Sequence, residues 1–122
     1  MYGIIVAHKD AARGILNALA GMYGDVERLV ALSSEGLSTG ELADSIREAA
    51  NPAVEEGVCV FVDVYGGSCW RAARLARLPK AHVITGFNLP MLLSFVTKRT
   101  TVPFEEIPSV LNTDGERGIR IE

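Results

Sequence analysis

Four short apolar runs are spread along the chain, and each is followed by a segment whose apolar residues recur at helical spacing. The runs cover residues 2–7, 26–32, 57–63 and 81–85. Apolar runs of this length before helical patterns are typical of strands in a parallel sheet. Alternating strands and helices therefore predict one α/β domain over residues 1–122. We expect a doubly wound sheet of four parallel strands in the order 2-1-3-4, flanked by helices.

Two of the predicted helices carry clear start signals. Ser38 and Glu41 match a capping box, in which the two side chains satisfy free backbone N–H groups at a helix start. Asn88 is a candidate N-cap, and Pro90 falls in the first turn of the helix that follows it. The spacing also predicts a helix over residues 69–78.

The C-terminal part of the chain has a weaker pattern. Pro103 and Pro108 interrupt it, so only a short or irregular helix is predicted within residues 104–111. Residues 118–122 alternate apolar and polar side chains, which predicts an exposed edge strand after the four main strands.

Two polar side chains follow central strands of the predicted sheet. His8 ends the first strand and Asp63 ends the third. In the order 2-1-3-4 these strands are neighbours and flank the switch point where open α/β sheets bind ligands. A carboxylate that accepts a hydrogen bond from one imidazole nitrogen orients the ring, and the other nitrogen becomes a nucleophile. We therefore expect His8 to accept a phosphoryl group, with Asp63 as its partner.

A phosphohistidine needs groups that bind its negative charge. Gly66, Gly67 and Ser68 form a turn before a helix, where backbone N–H groups and the positive end of the helix dipole favour anions. The Ser68 hydroxyl can donate a further hydrogen bond. The segment after the fourth strand is predicted to form the far wall of the site, with Thr85, Gly86 and Asn88 as its residues.

Composition narrows the range of functions. The chain has a formal net charge of -3, so bulk charge gives no support for nucleic-acid binding. No apolar run approaches the roughly 20 residues that span a bilayer, so no membrane insertion is expected. The cysteines, Cys59 and Cys69, lack metal-site spacing and do not suggest a disulfide framework, which favours a cytoplasmic location.

The motifs together resemble the mannose-family IIA components of the bacterial sugar phosphotransferase system. The resemblance covers residues 1 to about 98 and rests on the strand into His8, on residues 63–68 and on residues 85–92. It implies phospho-HPr as donor, a IIB component as acceptor, His8 as the phosphorylated residue, Asp63 as its orienting partner and Ser68 at the phosphate. It also implies a homodimer in which a terminal strand, here residues 118–121, crosses to the other subunit. Phosphoryl transfer of this kind needs no metal or organic cofactor.

Three residues depart from the family pattern beside the expected site. The family usually carries Ser before the histidine and Gly after it, where this chain has Ala7 and Lys9. The family turn usually continues with Pro after the serine, and here Cys69 follows Ser68. These changes bear on the choice of partner and leave open whether the relay serves sugar uptake or regulation.

Three alternatives remain open. A receiver domain phosphorylated on Asp63 shares the architecture, but the acidic pair that binds Mg²⁺ in receivers is reduced to Asp10 here. A hydrolase with Ser68 or Cys69 as nucleophile is suggested by the turn, although the final glycine of a nucleophile elbow is missing. The third alternative is a non-catalytic regulatory module of the same fold.

Overall fold

A computed structural model describes all of residues 1–122. The strands are β1 (Tyr2–Ala7), β2 (Leu29–Ser33), β3 (Val58–Val62) and β4 (Ala81–Thr85). The helices are α1 (Ala11–Tyr23), α2 (Thr39–Ala50), α3 (Ser68–Leu75), α4 (Leu89–Lys98) and α5 (Ile107–Arg117), and a 3₁₀ turn covers Asn51–Ala53. All strand pairs are parallel and the order is β2-β1-β3-β4, which confirms the predicted topology.

Alternate residues of the central strands feed two separate hydrophobic layers. On one face, Ile4 and Val6 of β1 pack with apolar side chains of α2 and α3. On the other face, Ile5 and Ala7 pack with α1, α4 and α5. Burial on both faces explains why the central strands are continuous apolar runs rather than alternating ones.

The strand register aligns the carboxyl ends of the sheet. Val6 of β1 lies opposite Val62 of β3, and Val62 lies opposite Thr85 of β4. The residues that follow these strands therefore leave the sheet at the same level and on the same edge. His8 and Asp63 are close for this reason.

The two predicted helix starts are confirmed. The Ser38 hydroxyl accepts a hydrogen bond from the Glu41 backbone N–H, and the Ser38 N–H donates to the Glu41 carboxylate, so the capping box is complete. The Asn88 side chain accepts from the Met91 N–H and caps α4. Two boundaries differ from prediction by three residues: β2 begins at Leu29 rather than at residue 26, and α3 ends at Leu75 rather than at residue 78. The other bounds of β2, β3 and α3 differ by one residue.

One C-terminal prediction was wrong, and the other is not met within the single chain. Pro108 does not interrupt a helix but lies in the first turn of the eleven-residue α5, where its missing N–H costs nothing. Residues 119–122 form no strand in the single chain, and Ile119 and Ile121 are exposed. A strand needs a neighbouring strand as its hydrogen-bond partner, and α5 ends with Gly118 packed close to Pro90, at the start of α4. None of the helices has both the length and the apolar character needed to cross a bilayer.

Candidate functional site

The His8 and Asp63 side chains meet at the carboxyl edge of the sheet. Asp63 Oδ2 lies 2.7 Å from His8 Nδ1 and also accepts a hydrogen bond of 3.0 Å from the His8 backbone N–H. Asp63 Oδ1 accepts from the Val64 N–H at 3.0 Å. Because both of its oxygens accept hydrogen bonds from the backbone, the carboxylate is fixed in place, and it in turn orients the imidazole.

The surroundings of Asp63 favour its charged form. Partial burial acts to raise the pKa of this carboxyl group. The hydrogen bonds from the His8 side chain and backbone, the His8 charge and the Val64 N–H outweigh burial, so the pKa lies below its ordinary value. A charged Asp63 accepts a hydrogen bond from the Nδ1–H group, which leaves the lone pair of the neutral ring on Nε2.

The other imidazole nitrogen points away from the carboxylate. His8 Nε2 lies 3.4 Å from the Ser68 hydroxyl oxygen, at the long end of the hydrogen-bond range. The His8 side chain is 52% exposed, whereas that of Asp63 is only 19% exposed. The site is therefore a half-open imidazole whose buried side is fixed and whose outer nitrogen another molecule can reach.

The glycine turn brings the start of α3 to this imidazole. Gly66 has φ +80°, a left-handed conformation that favours glycine. Gly67 is the N-cap of α3 and offers no side chain to the helix end, unlike Ser38 of α2 and Asn88 of α4. The first N–H groups of a helix have no partner inside it, so this end remains available to an anion.

Cys69, predicted only to lie beside the site or to act as a hydrolase nucleophile, belongs to the same cluster as His8 and Asp63. Its side chain is fully buried, and its sulfur lies 3.8 Å from His8 Nδ1. Burial raises the pKa of the Cys69 thiol, and the charge of Asp63 acts in the same direction, so the thiol is a weak nucleophile. The signal available in the sequence is its position directly after Ser68, at the end of the glycine turn.

The predicted far wall has a different character. Asn88 uses its amide within the fold: the oxygen caps α4, and the nitrogen donates to the Gly115 carbonyl at 2.9 Å. The Gly86 N–H donates to the Val62 carbonyl, and Thr85 pairs with Val62 in the sheet. No hydrogen bond joins Thr85, Gly86 or Asn88 to His8, so their part in the site stays a prediction.

The two remaining departures, Ala7 and Lys9, differ in exposure. Ala7 is fully buried beneath the site. Lys9 is exposed, has φ +53° and forms an ion pair of 3.4 Å with Glu35. The left-handed backbone at residue 9 is one that favours glycine, and this chain has lysine there.

No cavity of the molecule is lined by His8, Asp63 or Ser68. The nearest in sequence has a volume of about 60 Å³ and is lined by residues that include Lys9 and Asp10. Next to the site, the side chains of Val64 and Tyr65 are 56% and 74% exposed. The imidazole thus lies on an open, partly apolar surface, which suits a protein better than a small molecule.

The protein is an open α/β protein whose parallel sheet carries an imidazole, a carboxylate and a glycine turn at one edge. The family model described as the PTS system fructose IIA component, EIIA-man, matches residues 3–111. The chain belongs to this family of phosphotransferase-system IIA components.

Solved structures of the family share the fold. The phosphotransferase system component EIIA of Streptococcus agalactiae is 25% identical, with a TM-score of 0.88 over 98% of this chain and 95% of that one. The PTS IIA protein associated with the fucose utilization operon of Streptococcus pneumoniae is 21% identical, with a TM-score of 0.82 over 98% and 91%. The mannose/sorbose-specific IIA subunit of Enterococcus faecalis is 21% identical, with a TM-score of 0.70 over 99% and 93%. No curated protein matches the chain closely enough to count as a relative.

Proposed function

We propose that the chain is a phosphocarrier that accepts a phosphoryl group from phospho-HPr on His8 and passes it to a IIB component. The observation that carries this proposal is the His8 ring, whose Nδ1 lies 2.7 Å from Asp63 while 52% of the side chain is open to solvent. A ring held at one nitrogen and exposed at the other is arranged as a nucleophile. Such a carrier works in the cytoplasm, in sugar uptake or in a regulatory relay.

In the proposed step, the Nε2 lone pair of His8 attacks the phosphorus of the donor's phosphohistidine. A new N–P bond forms while the bond to the donor imidazole breaks, and its electron pair stays with the donor. Asp63 holds the proton on Nδ1 and stabilises the positive charge that the ring gains. The Ser68 hydroxyl and the first N–H groups of α3 bind phosphoryl oxygens. Positioning and charge stabilisation carry this chemistry, which needs no metal or organic cofactor.

The surface around His8 supports transfer between proteins. The imidazole lies outside every cavity and beside the exposed side chains of Val64 and Tyr65. Tyr65 packs against Trp70 with ring centroids 5.0 Å apart, so an aromatic pair borders the site. Exposed aromatic side chains next to a reactive group are typical of a docking surface for a macromolecular partner.

The test is phosphorylation by phosphoenolpyruvate, enzyme I and HPr, with the modified residue mapped by mass spectrometry. The expected product is one acid-labile, alkali-stable phosphate on His8, absent from the His8→Ala variant. His82→Gln is the matched control, because His82 is the other histidine of the chain. Its ring is hydrogen-bonded to the Phe104 carbonyl at 2.9 Å and stacks on the Phe104 ring, and it has no contact with His8. Label on His8→Ala, or a hydroxylamine-sensitive phosphate on Asp63, would contradict the proposal.

A hydrolase is the second candidate, because the His8 ring lies between the Ser68 hydroxyl and the Asp63 carboxylate, as the histidine does in a catalytic triad. The Ser68 oxygen is 3.4 Å from Nε2 and Asp63 is 2.7 Å from Nδ1. The lack of a cavity at these residues favours the carrier over an enzyme with a small substrate. Ester hydrolysis lost in both Ser68→Ala and His8→Ala, without labelling by phospho-HPr, would support the hydrolase.

The proposal includes a homodimer in which residues 118–121 pair with a second copy. The single chain leaves the outer edges of β2 and β4 without a partner strand. It also leaves Ile119 and Ile121 65% and 95% exposed. An unpaired edge and an exposed alternating segment are the two halves of a strand-exchange contact.

A further inference from the structure

Cys69 has no part in the proposed transfer, yet it lies against both residues that carry it. Its sulfur is 3.8 Å from His8 Nδ1, and one ligand atom each from His8, Asp63 and Cys69 lie within 4.8 Å of one another. The Cys69 side chain is fully buried. From this cluster we infer that His8, Asp63 and Cys69 form a site for one divalent ion of the zinc type.

Two of the three donor separations can be compared with those around a tetrahedral ion, and the third, between Cys69 and Asp63, is no more than 4.8 Å. Zinc bonds of about 2.0–2.3 Å separate the ligand atoms of a tetrahedral site by about 3.3–3.8 Å. The sulfur and Nδ1 already have this separation at 3.8 Å. Nδ1 and Asp63 Oδ2 are 2.7 Å apart and must move apart by about half an ångström once the proton between them is replaced by the ion.

The chemistry of the donors selects the class of metal. An imidazole, a thiolate and a carboxylate are the donors of zinc sites, whereas Mg²⁺ and Ca²⁺ prefer oxygen ligands alone. Metal binding releases the thiol proton to solvent, while the imidazole binds through Nδ1 as its other neutral tautomer, with the ring proton on Nε2. The carboxylate is already held by the backbone N–H groups of His8 and Val64, so one of the three ligands is fixed in advance.

The consequence for transfer rests on the proposed function. A neutral imidazole that binds an ion through Nδ1 carries its proton on Nε2, and the lone pair that attacks phosphorus is then lost. The ion also replaces the hydrogen bond between Nδ1 and Asp63. Metal binding and phosphorylation of His8 therefore exclude each other, and the ion acts as a brake on the carrier.

Binding is tested first, without any partner protein. Co²⁺ is added to the full chain as a spectroscopic probe, because a thiolate ligand gives a charge-transfer absorption that other ligands do not give. Zn²⁺ affinity is then measured by competition with a chromophoric chelator. The variants are Cys69→Ser and His8→Ala, and the matched control is Cys59→Ala, which removes the other buried cysteine, in β3.

The expected result is a saturable one-to-one absorption in the native chain and in Cys59→Ala that Cys69→Ser abolishes. Zn²⁺ affinity should fall at least about tenfold in Cys69→Ser and in His8→Ala. Circular dichroism checks that each variant is folded. An absorption retained in Cys69→Ser, or lost only in Cys59→Ala, overturns the site. So does a native chain with no saturable absorption.

The functional consequence is tested separately with phospho-HPr. Zn²⁺ at a concentration that saturates the site should suppress labelling of the native chain and leave labelling of Cys69→Ser unchanged. Equal suppression in both proteins overturns the proposed competition. If Co²⁺ binds through Cys69 but no protein is labelled, the metal site stands and the phosphocarrier function fails.

Discussion

At the scale of single residues, the function depends on how firmly Asp63 is held. Its oxygens accept from two backbone N–H groups in addition to the His8 ring. In Asp63→Asn, one of these donors must face an amide NH₂, and the positive charge of the reacting ring loses its counter-charge. We expect a folded protein whose rate of phosphoryl transfer is lower by about 100-fold or more, measured by rapid quench with phospho-HPr.

Asp10→Asn is the control for this change, because it removes an exposed carboxylate two residues from His8 that makes no side-chain cap contact. Its transfer rate should match that of the native chain. An Asp63→Asn protein with native transfer would restrict Asp63 to a structural role.

The backbone conformation of Lys9 leads to a second prediction at this scale. Its φ of +53° places an L side chain in the left-handed region, which costs about 1–2 kcal/mol. Glycine removes this strain but loses roughly 0.5–1 kcal/mol in backbone entropy. The exposed ion pair with Glu35 contributes little. Lys9→Gly should therefore raise the free energy of unfolding in urea by about 0.5–1 kcal/mol, while Lys9→Ala, which keeps the strain, should not raise it.

The sequence predicts the meeting of His8 and Asp63 but not the place of Cys69, for a physical reason. His8 and Asp63 each follow a parallel strand. The carboxyl ends of adjacent parallel strands lie at one edge of the sheet whatever the exact register. Cys69 lies in the first turn of a helix, where the direction of a side chain depends on the angle at which the helix leaves its turn. That angle is set by Gly66 and Gly67 and by packing, so spacing alone gives no access to it.

At the scale of secondary-structure elements, α2 depends on its capping box. Ser38 and Glu41 exchange hydrogen bonds of 3.1 Å and 2.9 Å between side chains and backbone. Ser38→Ala leaves one helical N–H without its acceptor, so we expect a loss of about 1 kcal/mol in the free energy of unfolding. Ser45→Ala, in the interior of the same helix, is the control and should be neutral or slightly stabilising. Equal losses in both variants would rule out the cap as the cause.

Elements with a local signal were predicted better than those that depend on distant contacts. The N-caps of α2 and α4 depend only on residues that are close together in the sequence. For α5, the sequence pattern predicts a break at Pro108, although proline is favoured in a first turn. What decides between these roles is whether Ile107 and Leu111, both fully buried, find a surface to pack on. That surface is the layer that also contains α1 and α4, which no local pattern reveals.

At the scale of the whole molecule, stability should depend on pH through the contact between α4 and α5. Hydrogen bonds from Lys98 and Ser94 hold the pKa of the Asp114 carboxyl below its ordinary value. Both bonds are 2.5 Å long, and the Ser94 hydroxyl is buried. Because the pKa is lower in the folded state, this stabilisation is fully present above the ordinary Asp value near about 4 and is lost as the pH falls through the folded pKa.

Asp114→Asn should therefore lower the free energy of unfolding at pH 7 by up to about 1 kcal/mol, and the difference from the native chain should shrink below about pH 4. Urea titrations from neutral to acidic pH measure it. Glu116→Gln removes an exposed carboxylate from the same helix and should change stability little at any pH. A difference for Asp114→Asn that is constant with pH would mean that packing, and not charge, links the two helices.

The quaternary structure provides the last prediction at this scale. Residues 119–122 make no strand in the single chain, but their alternating pattern predicts one, and the conflict is resolved if the missing partner strand belongs to a second copy. Deletion of residues 119–122 should then raise the dissociation constant of the dimer by about tenfold or more, since it removes ladder hydrogen bonds and the contacts of Ile119 and Ile121. Analytical ultracentrifugation over a concentration series measures the change.

The double variant Ile119→Ser with Ile121→Ser separates side-chain burial from backbone pairing, because it keeps the strand and removes only its apolar side chains. A full-length chain that stays monomeric at every concentration, or a truncated chain that dimerises as well as the native one, would assign the alternation to chance and leave the exposed edges of the sheet without this partner.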